Sequence, residues 1–170
     1  MEKKKSGWKI ALITFSGVIL VIALLFGLFV LMLYIDDCRA NSEKSARRRI
    51  IDTTGIEIPV DAEMVFLDYR PPWQESFIQY AVFSFESEPA NWLSENNFSR
   101  EKNTEFEEEF KKFEPSWLKE KVDAVSSEYY PNFENAYYWL NTKNITSGCL
   151  RVYFIYEPQE QLLMTYIPSI

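Results

Sequence analysis

The sequence predicts an α+β protein: one N-terminal transmembrane helix, then a small domain in which an antiparallel sheet of about five strands is packed by helices. Three observations carry this. The first is an uninterrupted apolar run near the N-terminus. The second is the grouping of alternating, aromatic-rich segments into two before the middle of the chain and three after it. The third is a middle third with helical periodicity. Strands and helices that segregate along a chain in this way favour an antiparallel sheet with helices on one face.

From Ile10 to Ile35 the chain has no charged residue and no proline. About 20 apolar residues cross a hydrocarbon core, so these 26 residues span it with length to spare. A soluble helix would show a polar side, and this one shows none. Trp8 and Tyr34 bracket the run, where rings with one apolar and one wet end settle at a bilayer boundary. A cleaved signal peptide shares the basic start, Lys3, Lys4, Lys5 and Lys9. Its apolar stretch, however, is only about 7–15 residues long. These lysines lie against the helix, whereas Asp36 and Asp37 come first on its other side. Basic residues near the helix end stay in the cytoplasm. The expected order is therefore a cytoplasmic tail (1–9), a transmembrane helix (10–35) and an extracytoplasmic remainder, in a cell membrane.

Residues 36–55 read as a basic, helical stalk. Asn41 to Asp52 has helical character, and Gly55 stands where a helix stops in the left-handed conformation. Lys44, Arg47, Arg48 and Arg49 are the candidate contacts to anionic headgroups, each worth about 1 kcal/mol near the surface. Ile50 and Ile51 are expected to point toward the domain.

Residues 56–170 are the globular domain. Ala62 to Arg70 is the first expected strand, with Met64, Phe66 and Asp68 on one side and Val65, Leu67 and Tyr69 on the other. Phe77 to Glu86 is the second. The connection Pro71-Pro72-Trp73 belongs to a loop. Arg70 and Trp73 there are the candidate binding residues, because loops carried on a rigid scaffold are where ligands are met. Pro89 can open a helical turn. Thr104 with Glu107 has capping-box spacing. Phe106, Phe110, Phe113 and Trp117 fall on one stripe that Leu118, Val122 and Val125 continue inward past Pro115. Ala136 to Asn141, Cys149 to Tyr156 and Gln161 to Ile167 complete the strands.

Charge and composition exclude several functions. Residues 52–170 carry nine basic and twenty-one acidic groups, a net of −12. Such a domain is a poor partner for nucleic acid, which needs clustered lysine and arginine. The chain has no histidine, which rules out Ser-His-Asp and Cys-His arrangements and histidine-ligated zinc. The acidic run Glu105, Glu107, Glu108, Glu109 and Glu114 lies on a helix and lacks the loop with Gly and Asp that calcium sites use. No metal and no cofactor is expected. Cys38 and Cys149 are a candidate disulfide on the extracytoplasmic side. Asp68 and Glu86, on the two strands of a hairpin, are a candidate acid/base pair.

The expected function is that of a membrane-anchored, non-enzymatic binding or assembly module. Its partners would be the lipid bilayer and another envelope protein or ligand. The alternative is a cell-envelope enzyme of glycan-hydrolase type that works with paired carboxylates. No motif points to a known family.

Overall fold

The computed structural model describes residues 3–70, 78–100, 104–145 and 148–168; the side chains of 3–14, of 37 and of 141–150 are outside that description. The chain divides into two compact units, Met1–Ala40 and Asn41–Ile170.

The first unit is a single helix, α1 (Lys3–Ala40), 38 residues long. It runs past the predicted end of the apolar segment to Ala40. It is long and apolar enough to cross a membrane by length and composition, and its described apolar side chains are exposed all round.

The second unit is an α+β domain. Its elements are α2 (Glu43–Thr54), β1 (Glu63–Arg70), β2 (Ile78–Ser84), α3 (Ala90–Glu95), α4 (Thr104–Phe113), α5 (Leu118–Asp123), a 3₁₀ turn (Ser127–Tyr129), β3 (Tyr137–Ile145), β4 (Gly148–Glu157) and β5 (Leu162–Ile167). The five strands form one sheet in the order β1-β2-β5-β4-β3, with every neighbouring pair antiparallel. The last strand thus fills the centre, and β2 and β5 are buried along nearly their whole length.

Both faces of the sheet are covered, which corrects the expectation of helices on one face. Tyr80, Val82, Tyr153, Ile155, Met164 and Tyr166 form one core with Phe106 and Phe110 of α4 and Leu118 and Val122 of α5. Ala81, Phe83, Phe154, Tyr156, Leu163 and Ile167 form the other with Ile50 of α2, Ile56, Ile58 and Leu93 of α3. The physical reason lies in the strands: β2 and β5 are near-continuous apolar runs, and a strand buried on both faces has that composition. On the α4 side, tyrosine hydroxyls rising from the sheet pin the overlying backbone. Tyr80 donates to Tyr129 O and Tyr166 to Phe113 O, each at 2.6 Å, and Tyr138 donates to Phe133 O.

The predicted stalk is not separate from the domain. Helix α2 starts two residues later than expected, capped by Ser42, and ends on Gly55 at φ 78° as anticipated. Its Ala46 and Ile50 are fully buried, whereas Ile51 is 37% exposed, so only one of the two isoleucines points inward. A bulge between Met64 and Phe66 shifts the register of β1. Met64 therefore joins Leu67 on the α2 side, and Phe66 joins the α4 side with Val65, contrary to strict alternation. The aromatic stripe of α4 stops at Phe110. Phe113 is 39% exposed and Val125 62%, because the helix ends before Pro115 and α5 restarts the rotation at Leu118.

Candidate functional site

The four basic residues of α2 separate into two kinds. Arg47 is drawn inward: Nη1 donates to Ile58 O at 3.1 Å and Pro59 O at 2.9 Å, Nη2 donates to Ala62 O, and Nε meets Glu43 at 2.7 Å. Its guanidinium lies 5.1 Å from the Phe83 ring centre. Arg49 packs over Tyr69 at 3.9 Å and donates to Gln79, a fully buried residue of β2 whose amide also reaches Ala46 O. Burial lowers the pKa of Arg49. Lys44 and Arg48 face solvent, Arg48 at 3.5 Å from Asp52. The expectation of one basic patch is thus corrected. A guanidinium with five donors fits a turn rich in carbonyl oxygens, and Arg47 is used that way, whereas Arg49 is spent on the Gln79 side chain and the Tyr69 ring.

At the far end of β1, Arg70 lies 3.5 Å from the Trp117 ring centre and 3.9 Å from Asp68 Oδ2. Asp68 is 5% exposed, and Lys121 of α5 donates to its Oδ1. Arg70 therefore belongs to a cation–carboxylate–indole cluster that ties β1 to α5. Trp73, its expected companion, lies outside the described residues. Asp68 and Glu86 are not brought together. Asp68 pairs with Tyr80, whereas Glu63 pairs with Ser84, so the two carboxylates lie on the order of 16 Å apart or more along the strands.

Three acids of the run in and just after α4 are engaged by neighbouring side chains, while Glu105 and Glu108 face solvent. Glu107 accepts from Lys111 at 2.6 Å, Glu109 faces Arg151 at 3.5 Å, and Glu114 accepts from Tyr130 at 2.6 Å. Among the described residues no group of acidic or cysteine side chains could hold a metal ion. Cys38 carries an exposed free thiol; the Cys149 side chain is outside the description.

The residue that sequence reasoning missed is Glu157. It ends β4 on the α4 side of the sheet and is only 7% exposed. Its Oε1 accepts from the backbone N–H of Asn132. Burial, reinforced by the charge of Glu160 and opposed by the Asn132 bond, pushes its pKa up to about 7. The loop it holds forms one wall of an open cleft of about 350 Å³ lined by Glu107, Lys111, Tyr130, Asn132 and Glu134. A smaller recess, lined by Asn132, Asn135, Glu157, Pro158 and Gln159, lies on the other side of Asn132. The signal was in the strand: counting by twos from Tyr153 through Ile155 places Glu157 on a buried face.

Fold and site together define a chain with one apolar helix and a three-layer, acidic α+β domain that carries a polar cleft. Comparison with known protein families, curated proteins and solved structures gives no match.

Proposed function

We propose that this chain is a single-pass membrane protein, with its N-terminus in the cytoplasm and its acidic domain outside. We propose further that the domain is a non-enzymatic module for binding or assembly. The observation that carries the anchor is the exposure of every described apolar side chain from Phe15 to Ile35 on a helix long enough to span a bilayer. The cleft between α4 and the 130–136 loop supports the binding role, since it is concave and sets the polar groups of Glu107, Lys111, Asn132 and Glu134 beside the rings of Tyr130 and Phe133. Its partner would be another envelope protein or ligand. With a net charge of −12 beyond residue 51, nucleic acid is an unsuitable partner. Contact with anionic lipid would rest on Lys44 and Arg48.

Two measurements test this. Cys38 is exposed just past the apolar run, so in a Cys149→Ser background an impermeant maleimide should label it on intact cells. Labelling only after lysis would reverse the orientation. A photo-crosslinker at Glu134, on the cleft rim, should yield a discrete protein, lipid or glycan adduct in native membranes. The binding reading fails if no such adduct forms.

A second reading, the carboxylate enzyme, draws support from Glu157, whose pKa near 7 suits a general acid. It requires a second carboxylate converging on the same substrate. Loss of a glycan-cleaving activity in Glu157→Gln would favour it over the first.

A further inference from the structure

Glu157 is a buried ionisable group with neutral or like-charged neighbours. From β2 and β3 it is faced by the phenols of Tyr80 and Tyr138, whose own pKa values are raised further by its charge. From the β4–β5 turn the facing charge is Glu160, of the same sign. From the 131–136 loop come the Asn132 N–H and the amide of Asn135. From α4, Glu107 acts on Tyr138 and is paired with Lys111. Among the described residues no cation pairs with Glu157.

The Glu157 contact is one of those that hold the loop, beside the Tyr138 hydroxyl on Phe133 O. Phe133 is buried against Tyr138, with its ring nearly parallel at 10°, and against Phe110 at 5.5 Å. Glu134 N donates to Asn132 Oδ1 at 3.2 Å, closing a turn that has Asn132 at its head. The bond from Asn132 N to Glu157 fastens that head to the sheet, and the cleft and the smaller recess flank it.

We propose that Glu157 is a proton-operated latch on the 131–136 loop, closed when its carboxyl is neutral and released when it ionises, so that access to the α4 cleft depends on pH. A neutral carboxyl still accepts the Asn132 bond and tolerates burial. Among the described residues an ionised one has a single donor, the Asn132 N–H, which favours the charge less than burial disfavours it, and no counter-charge, so it is drawn toward water. Lifting the loop hydrates it and widens the cleft. The device follows from the domain alone and stands whichever ligand the cleft takes.

The direction follows from linkage. The closed form binds the proton more tightly, with a pKa near 7 against the usual 4.5. Closure is favoured below 4.5 and is lost as pH rises through 7. With those two values the opening equilibrium grows about tenfold between pH 6 and pH 8.

Hydrogen exchange on the full chain in detergent micelles reads this directly. After correction for intrinsic rates, protection of the amides in 132–136 should fall about tenfold from pH 6 to pH 8, while β5 stays constant. Glu157→Gln, neutral at every pH, should abolish that dependence. Glu160→Gln, at an exposed position, should move the midpoint to lower pH. The proposal is overturned by pH-independent protection in the wild type, by an equal fall in Glu157→Gln, or by an equal fall in β5, which would mean global loosening. If Glu157→Gln does not fold, an unmoved midpoint in Glu160→Gln overturns it instead.

Discussion

Replacing Arg47 with Met separates a structural arginine from a surface one, with Arg48→Met as its control. Methionine keeps an apolar stem against Phe83 but leaves the carbonyls of Ile58, Pro59 and Ala62 without their donor. A hydrogen bond from a charged group contributes about 1.5–3 kcal/mol when buried. The Arg47 side chain is 19% exposed, so water recovers part of each loss, and the three together come to about 2–4 kcal/mol. Arg48 is 81% exposed and only 3.5 Å from Asp52, a surface pair worth roughly 0–0.5 kcal/mol. Urea unfolding of the full chain in detergent, followed by tryptophan fluorescence, gives the comparison. With a slope of about 1.5 kcal/mol per molar, the midpoint should drop by about 1–3 M for Arg47→Met and by less than about 0.3 M for Arg48→Met. Equal shifts in the two variants would refute the division of the basic segment into inward and outward residues.

Two further outcomes check the packing. Phe110→Ala, which removes a ring set edge-on to Phe133, Tyr153 and Tyr166 at 5.4–5.6 Å, should cost about 3–5 kcal/mol in the same assay. Phe113→Ala, at a position 39% exposed, should cost about 1 kcal/mol or less; similar losses would mean the α4 stripe is buried throughout. Gly55→Ala should cost about 1 kcal/mol through the backbone alone, because the φ of 78° disfavours a side chain while the space around it is open. Stabilisation by that change would show that α2 does not end on Gly55.

Much of the architecture was legible because period and length are local properties. The apolar run of α1, the alternating strands and the glycine stop of α2 each announce themselves within a few residues. What was misread depends on register or on a second surface. The bulge between Met64 and Phe66 moves Met64 and Val65 to the sides opposite those that alternation assigns, and no composition signal marks it. The second helical layer was readable in principle: Ile78 to Phe83 offers only Gln79 as a polar residue, and a strand with one wet face would offer more. Glu157 was hidden by its type. A glutamate before a proline at a turn reads as solvated, and only the buried partners at Tyr153 and Ile155 reveal otherwise.

The basic segment shows why charge counts mislead next to a long apolar helix. Arg47, Arg48 and Arg49 are consecutive, and at 100° per residue they cannot share a direction. Ile50 and Ala46 fix the buried side of α2, which places Arg47 and Arg49 on its two flanks and Arg48 on its back. A flanking arginine can reach past the apolar contact to the next layer: Arg47 reaches the 58–62 turn, and Arg49 reaches Gln79 in the sheet. The helix is thereby held along both edges as well as on its apolar face. Only residues 41 and 42 lie outside helix between α1 and this clamped helix, so α2 is the first element of the folded domain and not a spacer before it. Lys44 and Arg48 are the basic residues of α2 left facing solvent, with Arg48 already shared with Asp52.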